Sequence, residues 1–438
     1  MRLPLALAAV AALVAAGCVT PASDLAPAGA LPRDATAAFA AARDLLAGVP
    51  CEAKEVGAGT SENLLPLAAV AYDESMHGEV DVRGDWMLVA RYQAGGFEVV
   101  DVSDPLAPRL VGTYQSEEPT AYDVKWMPDG RTAVVGHDLT IELVDVSPLL
   151  VPGLTPDEAE ARGLAPVVLS TWTYDHPGVG ANMHMLTTAR IAEADWVFAA
   201  ANDNTGVLLL KLEGTELKLV RHIGNDLLGG GPIGPHDMGL VVDETLQKPV
   251  LYVANGFEGW RAFDVSDPER PVHLATLPNL GLAQGYTHTV LGQKVGERRL
   301  VATIQEVGAN TLSVFDATDF QRPVLLAQWR ADATTPTAPQ HNLQLVNGTL
   351  YVAHYTKGVY VFDLNKLGTA PLLGSLDLKP VAHYANPQPQ DGGALGFANV
   401  WDVVVHKGLL YVADVQAGTA VVGYGCLTPG DEAATSRN

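Results

Sequence analysis

The chain has 438 residues, of which 48% are hydrophobic, enough to bury an extensive core. Its 50 acidic and 27 basic residues give a formal net charge of −23. Because nucleic-acid binding depends on Lys and Arg that displace counterions from phosphates, this charge excludes nucleic acid as a partner.

The first segment predicts export from the cytoplasm. Arg2 is followed by an apolar run from Leu3 to Val14, which is too short to span a bilayer and is typical of a secretion signal. The sequence Ala15-Ala-Gly-Cys18 that follows resembles a bacterial lipoprotein processing site. This resemblance implies that residues 1–17 are removed, that the Cys18 thiol is acylated, and that the chain is anchored at the outer membrane or cell surface. Ala15 stands where Leu is commoner, so simple signal-peptide cleavage stays open.

Residues 18–50 predict a tether and a short helix. The tether is rich in Ala and Pro, and Asp34 is a favourable cap for a helix from Ala35 to Ala47. After it, residues 63–71 have a proline followed by an apolar run, a form that recurs later in the chain as a β-strand. Helical periodicity is otherwise nearly absent, which favours an all-β protein.

A β-rich run that ends in Asp recurs along the chain, and in its clearest copies a Ser-Asp-Pro turn follows. The copies are Gly96–Pro105, Trp260–Pro268, Leu312–Asp319 and Val359–Asn365. Short polar side chains bond the backbone in such turns, and proline fixes φ. With an apolar run before it, another after it and one more at the start, each unit holds four short strands over about 45–55 residues, which is typical of a propeller blade.

Seven units can be counted, and the last lacks a fourth strand. They start at His77, Tyr122, His184, His236, His288, His341 and Trp401. Because residues 63–71 can supply the missing strand, we predict a seven-bladed β-propeller over residues 51–426, closed by its own N-terminal strand. A helical insertion is predicted from Thr155 to Gly163 inside the second blade, and residues 427–438 are expected to be a disordered tail.

The repeated residues resemble the LVIVD-repeat family of bacterial and archaeal surface proteins, whose units carry an Ala-x-Asp-Val element and a Val-Asp-x-Ser-Asp-Pro turn. Tyr122-Asp-Val124, His236-Asp-Met238 and Trp401-Asp-Val403 match the first element. The resemblance covers about residues 64–424 and implies the fold, but no single activity. The third unit, with Leu210-Lys211-Leu212, and the seventh, with Gly423, lack the usual Asp and match less closely.

Two cysteines remain if Cys18 is acylated. Cys51 precedes the closing strand and Cys426 follows the last strand of the seventh unit, and these two points are neighbours in a closed ring. An oxidising compartment favours a disulfide between them. The alternative is two free buried thiols.

The histidines that open the third to sixth units carry the strongest chemical signal in the chain. His184, His236, His288 and His341 lie 52, 52 and 53 residues apart, so in a closed ring they would converge on the axis. One interpretation is that they hold an Fe, Cu or Zn ion, with Asp237 and Glu306 orienting ring nitrogens, and that His77, Tyr122 and Trp401 line the same channel. The alternative is a water-filled channel whose rings satisfy one another.

Two functions therefore remain open. The first is a lipid-anchored binding module, expected to be a monomer, that takes a protein, glycan or small molecule on its His-bearing face. Long loops are expected there: Tyr174–Asn182, Gly224–Gly234 and Pro380–Asp391. The second is a metal-dependent oxidoreductase or hydrolase built on the four histidines. The chain has no Gly-x-Ser-x-Gly or His-Glu-x-x-His motif that would support another kind of catalysis.

Overall fold

The computed structural model describes residues 64–70, 76–175, 182–202, 206–224, 234–278, 285–307, 311–331, 340–369, 376–385, 400–415 and 417–424. Within these residues the chain is all-β and forms seven antiparallel sheets, as predicted. The three cysteines, the predicted signal, tether, first helix and tail, and most of the three long loops lie outside the described residues. The predictions made for them stay predictions.

Each sheet is one blade, and its strands follow one another in chain order. Blade 1 contains β2 (His77–Arg83), β3 (Trp86–Arg91), β4 (Phe97–Asp101) and β5 (Arg109–Tyr114). Blade 2 contains β6 (Asp123–Trp126), β7 (Thr132–Gly136), β8 (Thr140–Asp145) and β9 (Val167–Thr173). Blade 3 contains β10 (Met183–Ile191), β11 (Ala194–Ala201), β12 (Gly206–Glu213) and β13 (Glu216–Ile223). Blade 4 contains β14 (Met238–Asp243), β15 (Lys248–Ala254), β16 (Trp260–Asp264) and β17 (Val272–Leu277). Blade 5 contains β18 (Tyr286–Val295), β19 (Arg298–Val307), β20 (Leu312–Asp316) and β21 (Val324–Trp329), and β25 (Leu376–Asp377) pairs in parallel with β21. Blade 6 contains β22 (Leu343–Val346), β23 (Thr349–His354), β24 (Gly358–Asp363) and β26 (Ala382–Tyr384).

Blade 7 closes the ring with the N-terminal strand. It contains β27 (Val400–His406), β28 (Leu409–Asp414), β29 (Gly418–Tyr424) and β1 (Leu64–Val70), and β1 pairs antiparallel with β29 from Leu64↔Tyr424 to Val70↔Thr419. This confirms the predicted closing strand. Both less closely matched units, the third and the seventh, form four-stranded blades.

The core lies between blades. The described residues contain seven hydrophobic clusters, and each joins two neighbouring blades, as Leu88 of blade 1 and Val135 of blade 2 do. Because both faces of a blade are covered, every residue of the third strands β4 and β16 is buried, including Glu98 and Arg261. A blade therefore cannot bury its core without its neighbours.

The turn after the third strand has the predicted chemistry. The Asp that ends the strand accepts a hydrogen bond from the backbone N–H two residues later: Asp101 from Ser103, Asp264 from Ser266, Asp316 from Thr318 and Asp363 from Asn365, each at 2.9 Å. These Asx turns reverse the chain into the fourth strand.

The predicted insertion in blade 2 is also helical. A 3₁₀ turn (Ser147–Leu149) precedes α1 (Pro156–Ala161), which begins with a capping box between Thr155 and Glu158. None of the helices that the structure describes is long and apolar enough to cross a membrane.

Candidate functional site at the channel mouth

One ring side chain from each blade meets its neighbours around the propeller axis. The centroids of His184, His236, His288 and His341 follow one another at 4.1 Å, and Trp401 is 4.2 Å from His341. Tyr92 and Tyr122 complete the circuit, with centroid separations of 5.1 Å from Trp401 to Tyr92, 5.9 Å from Tyr92 to Tyr122 and 5.3 Å from Tyr122 to His184. We call these seven residues the mouth ring.

Blade 1 departs from the prediction, because Tyr92 and not His77 supplies its ring. In the other blades the ring residue lies two positions before a Val, Leu or Met in the first strand, as Tyr122 lies before Val124 and Trp401 before Val403. The corresponding pairs are Val80↔Val89, Val124↔Val135 and Val403↔Val412, so the equivalent position in blade 1 is Gly78. A Cβ at Gly78 would lie 3.5 Å from Cβ of Tyr92, whose side chain occupies the space beside the glycine.

His77 was assigned to the channel by an alignment that is wrong by one residue. Because side chains alternate along a strand, a shift of one position moves a residue to the other face. His77 is fully buried beside blade 7, where its Nδ1 lies 2.9 Å from Thr419 Oγ1, and its Nε2 lies 3.4 Å from Glu98 Oε2. It therefore lies outside the mouth ring.

The residue after each ring position forms a second, buried layer. We call this layer the polar layer. Its members are Glu79, Asp123, Met185, Asp237, Thr289, Asn342 and Asp402, of which Met185 alone is apolar. Two of its carboxylates connect blades: Asp123 Oδ2 accepts from Leu186 N of blade 3 at 2.7 Å, and Asp402 Oδ2 accepts from Val80 N of blade 1 at 3.1 Å. The recurring Asp of the sequence motif is therefore an inter-blade contact.

The polar layer gathers negative charge around one ammonium group. Lys125 Nζ donates to Asp123 Oδ1 at 2.6 Å, and Asn342 Nδ2 donates to both oxygens of Glu79 at 2.8 Å. Burial and then Asp402 raise the pKa of Glu79 well above its usual range, and burial raises the pKa of Asp237 to about 7. Although burial acts to lower the pKa of Lys125, the surrounding carboxylates raise it.

The imidazoles of the mouth ring are neutral near pH 7. Burial lowers the pKa of His184 to about 4. It also lowers the pKa of the other three well below the usual range, assisted by the nearby histidines. Each ring then carries one N–H and one nitrogen lone pair.

Hydrogen bonds orient two of these rings. His288 Nδ1 lies 2.9 Å from Thr289 Oγ1, whose hydroxyl donates to the carbonyl of His341 at 3.0 Å, so Nδ1 carries the proton and donates to Thr289. His341 Nδ1 donates to the carbonyl of Trp401 at 2.9 Å. In both rings the lone pair is therefore on Nε2.

Three buried nitrogens of the mouth ring are left without a hydrogen bond to any described residue. One is Nδ1 of His184, and the other two are Nδ1 of His236 and Nε2 of His288. Glu306 lies beside them, with its Oε2 3.9 Å from Nε2 of His288. One ligand atom each from His236, His288 and Glu306 all fall within 4.8 Å of one another. Among the predicted site residues, these three are the group that the structure brings within the reach of one ion.

Glu306 is held in place by Tyr355, which the sequence did not single out. The Tyr355 hydroxyl donates to Oε1 of Glu306 at 2.7 Å, and this leaves Oε2 on the side of His288. Burial raises the pKa of Glu306, while the Tyr355 hydrogen bond acts to lower it. Tyr355 also packs on His341, with ring centroids 4.9 Å apart.

The remaining residues of the site surround the group formed by His236, His288 and Glu306. His184 flanks His236 on the side away from His288, and Asp237 lies in the polar layer, where its Oδ1 accepts from Met238 N. Tyr286 stacks edge-on against His236 at 5.2 Å and contacts Phe257 at 5.1 Å. Phe257 is 50% exposed, so aromatic contacts extend from the mouth ring to the surface.

Comparison with known proteins identifies the repeat. The LVIVD repeat model matches residues 76–116, which are blade 1 and its flanks. Together with the seven-bladed fold, this match confirms the predicted resemblance, and the chain is an LVIVD-repeat β-propeller. No curated protein matches the chain.

Solved structures agree on the fold. The chain is similar to the β-propeller domain of Cps50 (Swd1) from Myceliophteria thermophila, at 10% identity over 82% of this chain and 99% of that one, with a TM-score of 0.51. It is also similar to the WD40 β-propeller domain of Doa1, at 12% identity over 82% of this chain and 97% of that one, with a TM-score of 0.52. At such identities the likeness shows the fold alone.

Proposed function

We propose that the protein is an exported binding module, anchored through lipid at Cys18, that takes its ligand at the mouth ring through a transition-metal ion held by His236, His288 and Glu306. The propeller fold supports an interaction module in general. The finer proposal depends on one observation, the convergence of three potential ligand atoms within 4.8 Å.

The unpaired ring nitrogens of His236 and His288 argue against a purely structural role for these two residues. A buried polar atom without a partner costs about 1–3 kcal/mol, so a channel built only for packing would be expected to pair its imidazoles. Here Nδ1 of His236 and Nε2 of His288 lack a hydrogen bond among the described residues. A metal ion would satisfy both.

The donor set favours particular metals. Two imidazole nitrogens and one carboxylate oxygen are typical ligands of Fe(II) and Zn(II), and imidazole also suits Cu, whereas Ca²⁺ prefers oxygen donors alone. Tyr355 and Thr289 would hold Glu306 and His288 in position by the hydrogen bonds they already make. A metal bound there would act as a Lewis acid toward an oxygen atom of the ligand.

A metal-dependent oxidoreductase or hydrolase at the same residues is the second candidate. It is favoured by the small number of protein ligands, because three ligands leave coordination positions open for water or substrate. His184 and His341 would then border the open positions, since their rings lie 4.1 Å from those of His236 and His288, respectively.

Elemental analysis of the mature protein, purified without a His tag from medium containing Fe, Zn and Cu, tests the metal site. We expect one transition-metal ion per chain, lost in the His288→Ala and Glu306→Gln variants. His273→Ala is the matched control, because this exposed histidine lies on β17, away from the mouth ring. Metal absent from the wild type, or retained equally by all variants, would overturn the proposal.

A further variant distinguishes the three-residue group from the four-histidine site predicted by the sequence. If His236, His288 and Glu306 hold the ion, His341→Ala keeps its metal; a set of four histidines would lose it.

The anchor is tested separately by metabolic labelling with palmitate. Label should be present in the wild type and absent from Cys18→Ser, and an unlabelled wild type would refute the anchor.

A further inference from the structure

We infer that the ligand taken at this site is a small neutral phenol or catechol, which binds the metal through a hydroxyl oxygen and stacks its ring on the aromatic side of the mouth. This inference deepens the proposed function and rests on it. It comes from the asymmetry of the mouth ring, from the hydrogen bonds of its aromatic members, and from the charge around it.

The mouth ring has two unlike halves. Four consecutive blades contribute the imidazoles, and the other three contribute Trp401, Tyr92 and Tyr122, here called the aromatic arc. The halves adjoin at both ends, where Trp401 lies 4.2 Å from His341 and Tyr122 lies 5.3 Å from His184. A metal on the imidazole half would therefore lie across one small opening from a wall of aromatic rings.

The polar atoms of two members of the arc are already engaged. Nε1 of Trp401 donates to Oε1 of Glu79 at 3.0 Å, and the Tyr122 hydroxyl donates to Asp138 Oδ1 at 2.8 Å. Trp401 and Tyr122 remain partly exposed although the residues beside them in the second layer are buried. What these two side chains offer to a ligand is carbon surface, which suits a flat apolar ring.

Charge selects against ionic ligands. The polar layer beneath the ring contains four carboxyl groups, Glu79, Asp123, Asp237 and Asp402, and even with Glu79 protonated the others outnumber the single ammonium of Lys125. Together with the net charge of −23, these groups disfavour carboxylate and phosphate ligands. A divalent metal in turn repels an organic cation. A neutral molecule avoids both penalties.

A neutral molecule that must bind a metal needs an oxygen that becomes a good donor on contact. A phenolic hydroxyl meets this need, because the metal lowers its pKa and the proton leaves to solvent as the oxygen binds. The ring that carries the hydroxyl can then stack on the aromatic arc. Saccharides offer hydroxyls and can cover aromatic rings, but their aliphatic hydroxyls lose a proton much less readily.

Titration with 4-nitrocatechol tests the inference, because its visible absorption band shifts when it loses a proton to bind a metal. Metal content is measured first for every sample. We expect saturable binding to the metal-loaded wild type and affinity lower by about tenfold in Tyr122→Leu, as expected for the loss of one aromatic stack. Tyr122→Phe, which keeps the ring, should bind like the wild type.

Trp172→Leu is the matched control, since Trp172 is a partly exposed aromatic residue on the outer strand β9. It should bind the probe normally. Competition with benzoate, choline and cellobiose on the wild type gives a measurement that needs no variant, and none should displace the probe at equal concentration.

Failure of this inference can be told apart from failure of the proposed function. If the wild type holds metal but Tyr122→Leu binds 4-nitrocatechol as tightly as Tyr122→Phe, or benzoate, choline or cellobiose displaces the probe at equal concentration, the ligand class is wrong and the metal site stands. If the wild type holds no metal, both are overturned.

Discussion

Replacement of Asp402 by Ala should separate blades that this one carboxylate holds together. Its Oδ2 accepts from Val80 N of blade 1 at 3.1 Å, and its Oδ1 accepts from Asn342 Nδ2 of blade 6 at 3.1 Å. Oδ1 also accepts from Val403 N within its own blade at 2.8 Å. Blades 6, 7 and 1 therefore meet at this side chain.

The expected loss follows from the donors left behind. Alanine leaves the buried N–H of Val80 without this acceptor, whereas Asn342 Nδ2 keeps Glu79 as an acceptor, so we expect a loss of about 1–3 kcal/mol in the free energy of unfolding. Asp402→Asn keeps one acceptor oxygen and relieves repulsion with Glu79, and Asn already occupies the equivalent position 342 in blade 6. We expect it to cost less than about 2 kcal/mol.

Urea unfolding, followed by tryptophan fluorescence and by far-ultraviolet circular dichroism, measures the difference. Asp363→Ala is the control, because Asp363 is exposed and bonds only within the turn of its own blade, to Asn365. Its effect should stay below about 1 kcal/mol. If Asp402→Ala unfolds at the same urea concentration as Asp363→Ala, the carboxylate does not connect the blades as argued.

Three further predictions concern charge, packing and closure. Because burial and Asp402 raise the folded-state pKa of Glu79, the folded chain keeps a proton that the unfolded chain loses above about pH 5, so stability should fall as pH rises through the raised pKa. Urea midpoints across pH should show this fall flattened in Glu79→Gln, and parallel profiles would contradict it. Gly136→Ala should lower the free energy of unfolding by about 2 kcal/mol or more, because its Cβ would lie 2.4 Å from the Met183 carbonyl oxygen. In Gly78→Ala the Cβ comes no nearer than 3.5 Å to another atom, so the loss should be less than about 1 kcal/mol. Equal melting temperatures of the two variants would contradict the close packing inferred around Gly136. A truncated chain that begins at residue 76 lacks β1 and the buried side chains of Leu64 and Val70. Its free energy of unfolding should be about 3–6 kcal/mol lower than that of a chain that begins at residue 62, and its exposed strand edge should make it self-associate on a sizing column. A stable monomer would show that β1 is dispensable.

The fold could be predicted because its signals are local and repeated. The Asp-terminated third strand, the turn after it and the apolar fourth strand recur in most units, and the missing strand of the last unit has a recognisable candidate upstream. The spacing of the four histidines likewise placed their rings correctly, since equivalent positions in a closed ring converge on its axis. Periodicity carries this information without any knowledge of contacts.

The rest of the site depends on contacts that no period reveals. Gly78-Glu79-Val80 matches the repeat with Glu in place of Asp. An alignment on Val80 therefore places Gly78, and not His77, at the position of the ring residue. Tyr92 comes from the end of a second strand and enters the mouth ring only because a glycine leaves room. Tyr355 gives no signal in sequence, because its partner Glu306 lies 49 residues away in a neighbouring blade.

The chemistry of this propeller is concentrated where its repeat is broken. Blade 5 has Thr289 where five other blades have a carboxylate or amide and blade 3 has Met185, and this hydroxyl fixes the proton of His288 on Nδ1 and leaves Nε2 free. Its first two strands, β18 and β19, are 10 residues long, whereas β14 and β15 of blade 4 have 6 and 7. The longer hairpin carries Glu306 up to the level of the imidazoles. A symmetric ring of seven identical blades would place equal side chains around the axis, so the local departures in blades 1 and 5 are what give the mouth one half with imidazoles beside Glu306 and one half with aromatic rings.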